Sequence, residues 1–141
     1  MKSIYVIGSL RNPDIPTLAS KLRVCGFNAF DDWYAAGPKA DDHWQAYEKA
    51  KGHTFEQALA GYAARNVFNY DKSHLDRCDA AVLVMPAGKS GHLELGYFIG
   101  RGKPGYILMD KEPERYDVMY GFATAVVTRF ADLMVELKKL P

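Results

Sequence analysis

At 141 residues, with 48% hydrophobic and 25% charged side chains, the chain has the length and apolar content of a single compact domain spanning residues 1–141. Its 18 Lys and Arg against 17 Asp and Glu give a formal net charge of +1, dispersed without a basic block, which argues against polymeric nucleic acid as a partner. No apolar run reaches membrane-spanning length, and the opening residues lack a signal-peptide core, so a soluble, cytoplasmic protein is expected.

Ile4 to Ile7 reads as a first strand, closed by the turn Gly8-Ser9-Leu10-Arg11-Asn12-Pro13. A helix follows, capped by Asp14 or Thr17, with Leu18, Leu22 and Cys25 as its inward stripe and Gly26 as its stop. Phe27 to Phe30 makes a short second strand that delivers Asp31, Asp32, Trp33 and Tyr34 to its end. Beyond Gly37 and Pro38, a helix from about Asp41 carries Trp44 and Tyr47 and breaks at Gly52 and His53. Another helix starts at Thr54 and runs to about Val67; Asn69 to Cys78 then returns towards the next strand. Asp71 lies eight residues before Asp79, which places it about 12 Å up that helix at ~1.5 Å per residue.

Ala80 to Met85 is an unbroken apolar run, as expected of a strand covered on both faces. A Pro-Ala-Gly turn ends it, and Ser90 and Gly91 lead into a helix with Leu93, Leu95, Phe98 and Ile99 at helical spacing. Glu94 falls in the first turn on this reading, where free N–H groups and the helix dipole favour the charged carboxylate. Gly105 to Met109 is a fourth strand, Tyr116 to Phe122 a short helix, Ala125 to Thr128 a fifth strand, and Phe130 to Leu140 a closing amphipathic helix. Strands alternating with helices predict a doubly wound parallel α/β sheet.

Ser9 and Arg11, Asp71, and Ser90 with Glu94 therefore gather at the carboxyl edge of the sheet, where open α/β folds bind their ligands. A carboxylate nucleophile with a second carboxyl as acid is the pair that cleaves a glycosidic bond with retention, and Tyr5 can point from strand one towards it. Each residue taken singly also has an ordinary reading. Glu94 suits a helix dipole, Asp71 and Ser90 suit helix caps, Arg11 suits a solvated surface, and Trp33, Trp44 and Tyr47 suit packing as well as stacking on a base. Cys25 and Cys78 lack a C-x-x-C or Cys/His cluster and read as reduced, buried thiols; no metal site is expected from the histidines, and no P-loop or dinucleotide fingerprint is present.

Taken in order, Ile4-Tyr5-Val6-Ile7-Gly8-Ser9-Leu10-Arg11, Asp71, Glu94-Leu95-Gly96-Tyr97 with Gly102-Lys103-Pro104, and Val118-Met119 resemble the nucleoside 2-deoxyribosyltransferase family, including its relatives that hydrolyse nucleoside 5′-monophosphates. The resemblance implies a flavodoxin-like fold, five parallel strands in the order 2-1-3-4-5. It implies Glu94 as the nucleophile, Tyr5 orienting it, and Asp71 assisting the leaving base or contacting the sugar, with no cofactor. Gly8, Ser9 and Arg11 would hold a phosphate; Asp32, Trp33, Gly88, Ser90 and Gly91 are further substrate-binding candidates. It also implies a homodimer or larger homo-oligomer in which a late loop, here carrying Asp117 and Met119, completes the neighbour's site.

Two positions depart from the family pattern. Six residues before the nucleophile, where transferases carry Asp and hydrolases Ser, this chain has Gly88, with Ser90 nearby. Two before the late Met, where relatives have Asn or Ser, stands Asp117, a charge that repels phosphate while Arg11 attracts it. The reading that follows is N-glycosidic cleavage of a nucleoside 5′-monophosphate or nucleoside by water. Base exchange is the alternative, and a non-catalytic nucleotide-binding module is the second alternative.

Overall fold

The computed structural model describes residues 1–141. Five strands, β1 (Ser3–Ile7), β2 (Asn28–Phe30), β3 (Ala80–Val84), β4 (Gly105–Leu108) and β5 (Ala125–Val127), form one sheet in the order β2-β1-β3-β4-β5. All four pairings are parallel, so every strand ends at the same edge. This is the expected flavodoxin-like arrangement. The helices are α1 (Asp14–Val24), α2 (Ala40–Ala50), α3 (Phe55–Ala60), α4 (Tyr62–Arg77), α5 (Lys89–Gly100) and α6 (Phe130–Leu137), with 3-10 helices at Asp32–Ala36 and Val118–Phe122.

Strand periodicity divides the core between the two faces of the sheet. Ile4 and Val6 of β1 pack with Ile15, Leu18 and Leu22 of α1 and Leu133 and Leu137 of α6. Tyr5 and Ile7 face the other way, with Leu83, Leu75 of α4, and Leu95 and Phe98 of α5. Every residue of β3 is buried, as its unbroken apolar run predicts for a central parallel strand. Burying a side chain the size of Phe98 contributes roughly 1.5–3 kcal/mol. No helix is long and apolar enough to cross a membrane.

Several local expectations are corrected. The cap of α1 is neither Asp14 nor Thr17: the helix begins at Asp14, whose N–H donates to Asn12 Oδ1 at 2.9 Å, and Thr17 lies inside it. The inward stripe begins a turn earlier, at Ile15, and leaves Cys25 exposed after the last helical residue; Cys78 is buried as expected. The helix starting at Thr54 stops at Ala60 rather than near Val67, because Gly61 adopts an extended conformation and serves as C-cap of α3 and N-cap of α4. Helix α4 then runs unbroken to Arg77, so Asp71 sits mid-helix and caps nothing. The N-cap of α5 is Gly88 rather than Ser90, and Leu93 points to solvent at 75% exposure.

Candidate active site

The side chain of Tyr5 follows from its register: one residue either way and it would lie on the α1 side of the sheet. It is 1% exposed, its ring 5.1 Å from that of Phe30, and its hydroxyl is buried without a hydrogen bond of ordinary geometry. Burial, Glu94 and Asp71 all push the phenol upward from its usual range, so it stays protonated. Helix α5 supplies Glu94 and helix α4 supplies Asp71, and both carboxyls are close enough to Tyr5 for their charges to act on it.

Glu94 is the sixth residue of α5, in its second turn and past the free N–H groups. The expected stabilisation of its charge by the helix start is therefore overturned. Burial first, and the Asp71 carboxyl second, raise Glu94 to about 7; the Tyr5 hydroxyl opposes them by favouring the carboxylate. Asp71 is also raised, by burial alone. Two carboxyls that interact in a half-buried space take up protons as a coupled pair.

A cleft of about 430 Å³ opens between the turn after β1 and the loop after β3, lined by Ser9, Arg11, Asn12, Asp14 and Pro86 to Gly88. The structure thus brings Ser9, Arg11 and Gly88 together. Ser9 Oγ accepts the Arg11 N–H at 3.1 Å and keeps its own proton to donate. Arg11 reaches Asp42 at 3.6 Å, an exposed pair of little energetic weight that leaves the guanidinium free for a stronger anion. Gly8 lies under α1, where a Cβ would collide with the Ile15 side chain.

Other candidates are engaged locally. Trp33 donates its indole N–H to the Val6 carbonyl at 2.8 Å and packs on the core, while Asp32 beside it is exposed. Gly91 is buried, and Ser90 is exposed in the first turn of α5. Asp117 caps the 3-10 helix by accepting the Met119 N–H at 2.8 Å, and both side chains are exposed. No group of three or more His, Cys, Asp or Glu residues converges where it could hold a metal ion.

Neither a protein-family model nor a curated protein sequence matches the chain. Solved structures do. A 2-deoxyribosyltransferase from Bacillus psychrosaccharolyticus superposes with a TM-score of 0.61 at 19% identity, over 93% of this chain and 89% of that one. The likeness is one of fold. A response regulator from Thermotoga maritima, in complex with magnesium and a beryllium fluoride, gives 0.59 at 20% identity over 100% of both chains. A CMP N-glycosidase from Clostridium botulinum gives 0.52 at 11% identity over 97% and 99%.

Three features escaped the sequence reading. Asn12 is 5% exposed and lines the cleft, with Nδ2 unpartnered; Asn-Pro-Asp signalled only a helix entry. Phe30 stacks on His74 at 3.9 Å between centroids, and Tyr70 meets His74 edge-on at 4.7 Å, forming an aromatic wall that adjoins Tyr5 and Asp71. His92 binds both Gly88 and Tyr120, partners that no local pattern announces.

Proposed function

We propose that the chain cleaves the N-glycosidic bond of a nucleoside 5′-monophosphate, or of the nucleoside itself, through a glycosyl intermediate on Glu94. The observation that carries this is the grouping of buried Tyr5 with half-buried Asp71 and Glu94, with Glu94 raised to about 7. The sheet likeness to a 2-deoxyribosyltransferase and a CMP N-glycosidase supports a nucleoside or nucleotide as the substrate class.

In the first step a Glu94 oxygen bonds to C1′ as the C1′–N bond breaks, and the bonding pair leaves with the base. The proton that the base requires is assigned to Asp71, whose carboxyl burial raises above its ordinary range. Tyr5, held neutral, donates towards the Glu94 carboxylate and so favours the ionised nucleophile. Water then attacks C1′, giving its proton to the Asp71 carboxylate left by the first step, as the C1′–O bond to Glu94 breaks; this restores both carboxyls and releases the sugar. Ser9, Arg11 and the Asn12 amide offer donors for a 5′-phosphate in the adjoining cleft.

The same proposal includes a homo-oligomer with a shared site. Tyr116, Val118, Met119 and Phe122 expose large apolar surface around Asp117, as do Phe55, Tyr62 and Phe68 on α3 and α4. Light scattering that gives only a 15.8 kDa monomer at micromolar concentration would remove this part.

The test of the activity is a chromatographic screen for free base from ribo- and deoxyribonucleosides and their 5′-monophosphates, with and without an added acceptor base. Release without acceptor is expected. Product formed only with an acceptor would make base transfer the reaction, and silence across the panel would leave a binding module.

A further inference from the structure

Helix α5 begins at a residue that cannot fix its own geometry. Gly88 is the N-cap, has no side chain to bond the first turn, and has open space where a Cβ would stand. It also forms part of the cleft wall facing Ser9 and Arg11. Some other group must select one of the conformations available to glycine.

We propose that His92 is that group: a neutral imidazole protonated on Nδ1, positioning the Gly88 peptide and fastening it to the 3-10 helix Val118–Phe122. His92 Nδ1 lies 2.7 Å from the Gly88 carbonyl oxygen. A carbonyl only accepts, so the proton is on Nδ1. His92 Nε2 lies 2.9 Å from Tyr120 Oη, and in the neutral ring this nitrogen accepts, so Tyr120 donates. The His92 backbone N–H also reaches the Gly88 oxygen, at 3.4 Å, so one residue grips that carbonyl twice.

The consequence rests on the proposed function. Because C=O and N–H of one trans peptide point in opposite directions, holding the Gly88 carbonyl towards His92 turns the Lys89 N–H away from it. The direction of the first free N–H groups of α5, and the cleft wall they belong to, are set by the imidazole. Tyr120 carries the restraint to the turn bearing Asp117 and Met119, which ties the loop beside Glu94 to the segment proposed to serve a neighbouring subunit. His92 touches no reacting atom and acts through Gly88.

Long-range proton–nitrogen NMR of the intact protein above pH 7.5 reads the tautomer directly, whether or not any substrate turns over. The Nδ1–H form is expected for His92, with its Nε2 resonance moving in Tyr120→Phe. The Nε2–H form, or no response to Tyr120→Phe, overturns the proposal.

Kinetics give the second arm, on whichever 5′-monophosphate releases base. His92→Ala is expected to raise KM roughly tenfold with kcat within about threefold, the scale of one hydrogen bond. His92→Asn retains a donor near the Nδ1 position and is expected to restore KM to within about threefold. A folded His92→Ala with unchanged KM, or an Asn variant no better than Ala, overturns the positioning role. Loss of all base release from the wild-type protein would instead defeat the proposed function, and the NMR result would still decide the role of His92.

Discussion

Asp76 and Tyr97 are joined by a 2.5 Å hydrogen bond that clasps α4 to α5 below the two carboxyls of the site. Asp76 follows Asp71 by five residues and Tyr97 follows Glu94 by three, so the clasp fixes how the helices carrying the carboxyls sit against each other. Lys72 at 3.0 Å and Arg101 at 3.7 Å share the Asp76 carboxylate, and the Tyr97 hydroxyl, then Lys72, hold it below its usual range. Lys103 closes the end of α4 by donating to the Asp76 and Cys78 carbonyls at 2.6 and 2.9 Å. Tyr97→Phe should lower Tm by roughly 2–5 °C and reduce kcat several-fold with KM little changed. Thermal unfolding and steady-state rates check this, and unaltered values for both would reduce the clasp to surface decoration.

The pH dependence of stability has a definite sign at Glu94. In the folded protein it titrates near 7, against 4.5 for an unperturbed glutamate. Between those values the folded chain keeps a proton that the unfolded chain has lost. Its contribution is therefore complete below about 4.5 and is lost as pH rises through 7; Asp71, raised too, acts in the same direction. Glu94→Gln removes this dependence. Relative to wild type it should gain stability on the order of 2–3 kcal/mol between pH 4.5 and pH 8, measured by urea unfolding. A difference that does not vary with pH would show that Glu94 is not held protonated by its surroundings.

Gly91 bears on packing. A Cβ there would stand 2.9 Å from Leu83 Cδ1 and 3.3 Å from Ile7 Cγ2, both on fully buried side chains beneath α5. Gly91→Ala should cost about 1–3 kcal/mol by forcing the helix off the sheet or those side chains off their rotamers. Denaturant unfolding reads this; an unchanged midpoint would mean that the helix has room to shift.

Asn12 offers a specificity test. Its Nδ2 is buried, unpartnered and part of the cleft lining, while Oδ1 is committed to the Asp14 N–H. Asn12→Asp keeps the acceptor for the helix entry and exchanges the free donor for a second carboxylate oxygen. KM for a 5′-monophosphate should rise at least tenfold with KM for the free nucleoside within about threefold. Equal effects on both substrates would place the phosphate elsewhere.

The sheet was legible because each strand is an apolar run punctuated by Gly, Pro or Asp, and because β3 has no polar residue to face solvent. The residues resembling a known family supplied the strand order, which periodicity alone could not. Tyr5, Asp71 and Glu94 meet as expected, since a parallel sheet sends β1, α4 and the start of α5 to one edge. Protonation was not legible. A position near a helix start suggested a charged Glu94, but partial burial in the fold and the Asp71 carboxyl on α4 raise it. The break at Gly61 was hidden because Val67 and Phe68 look like an inward end of a helix yet are each 64% exposed. His92 belongs to no motif in the sequence, because its partner Tyr120 lies 28 residues away.

Base release from a 5′-monophosphate, followed with the wild-type protein and with Glu94→Gln side by side at pH 7.5, tests the central claim most directly. Circular dichroism confirms that both are folded. The account predicts steady release by the wild type and a loss of at least a thousandfold in the variant, as expected when a covalent nucleophile is removed. A folded Glu94→Gln that retains release within about tenfold of the wild type would contradict it.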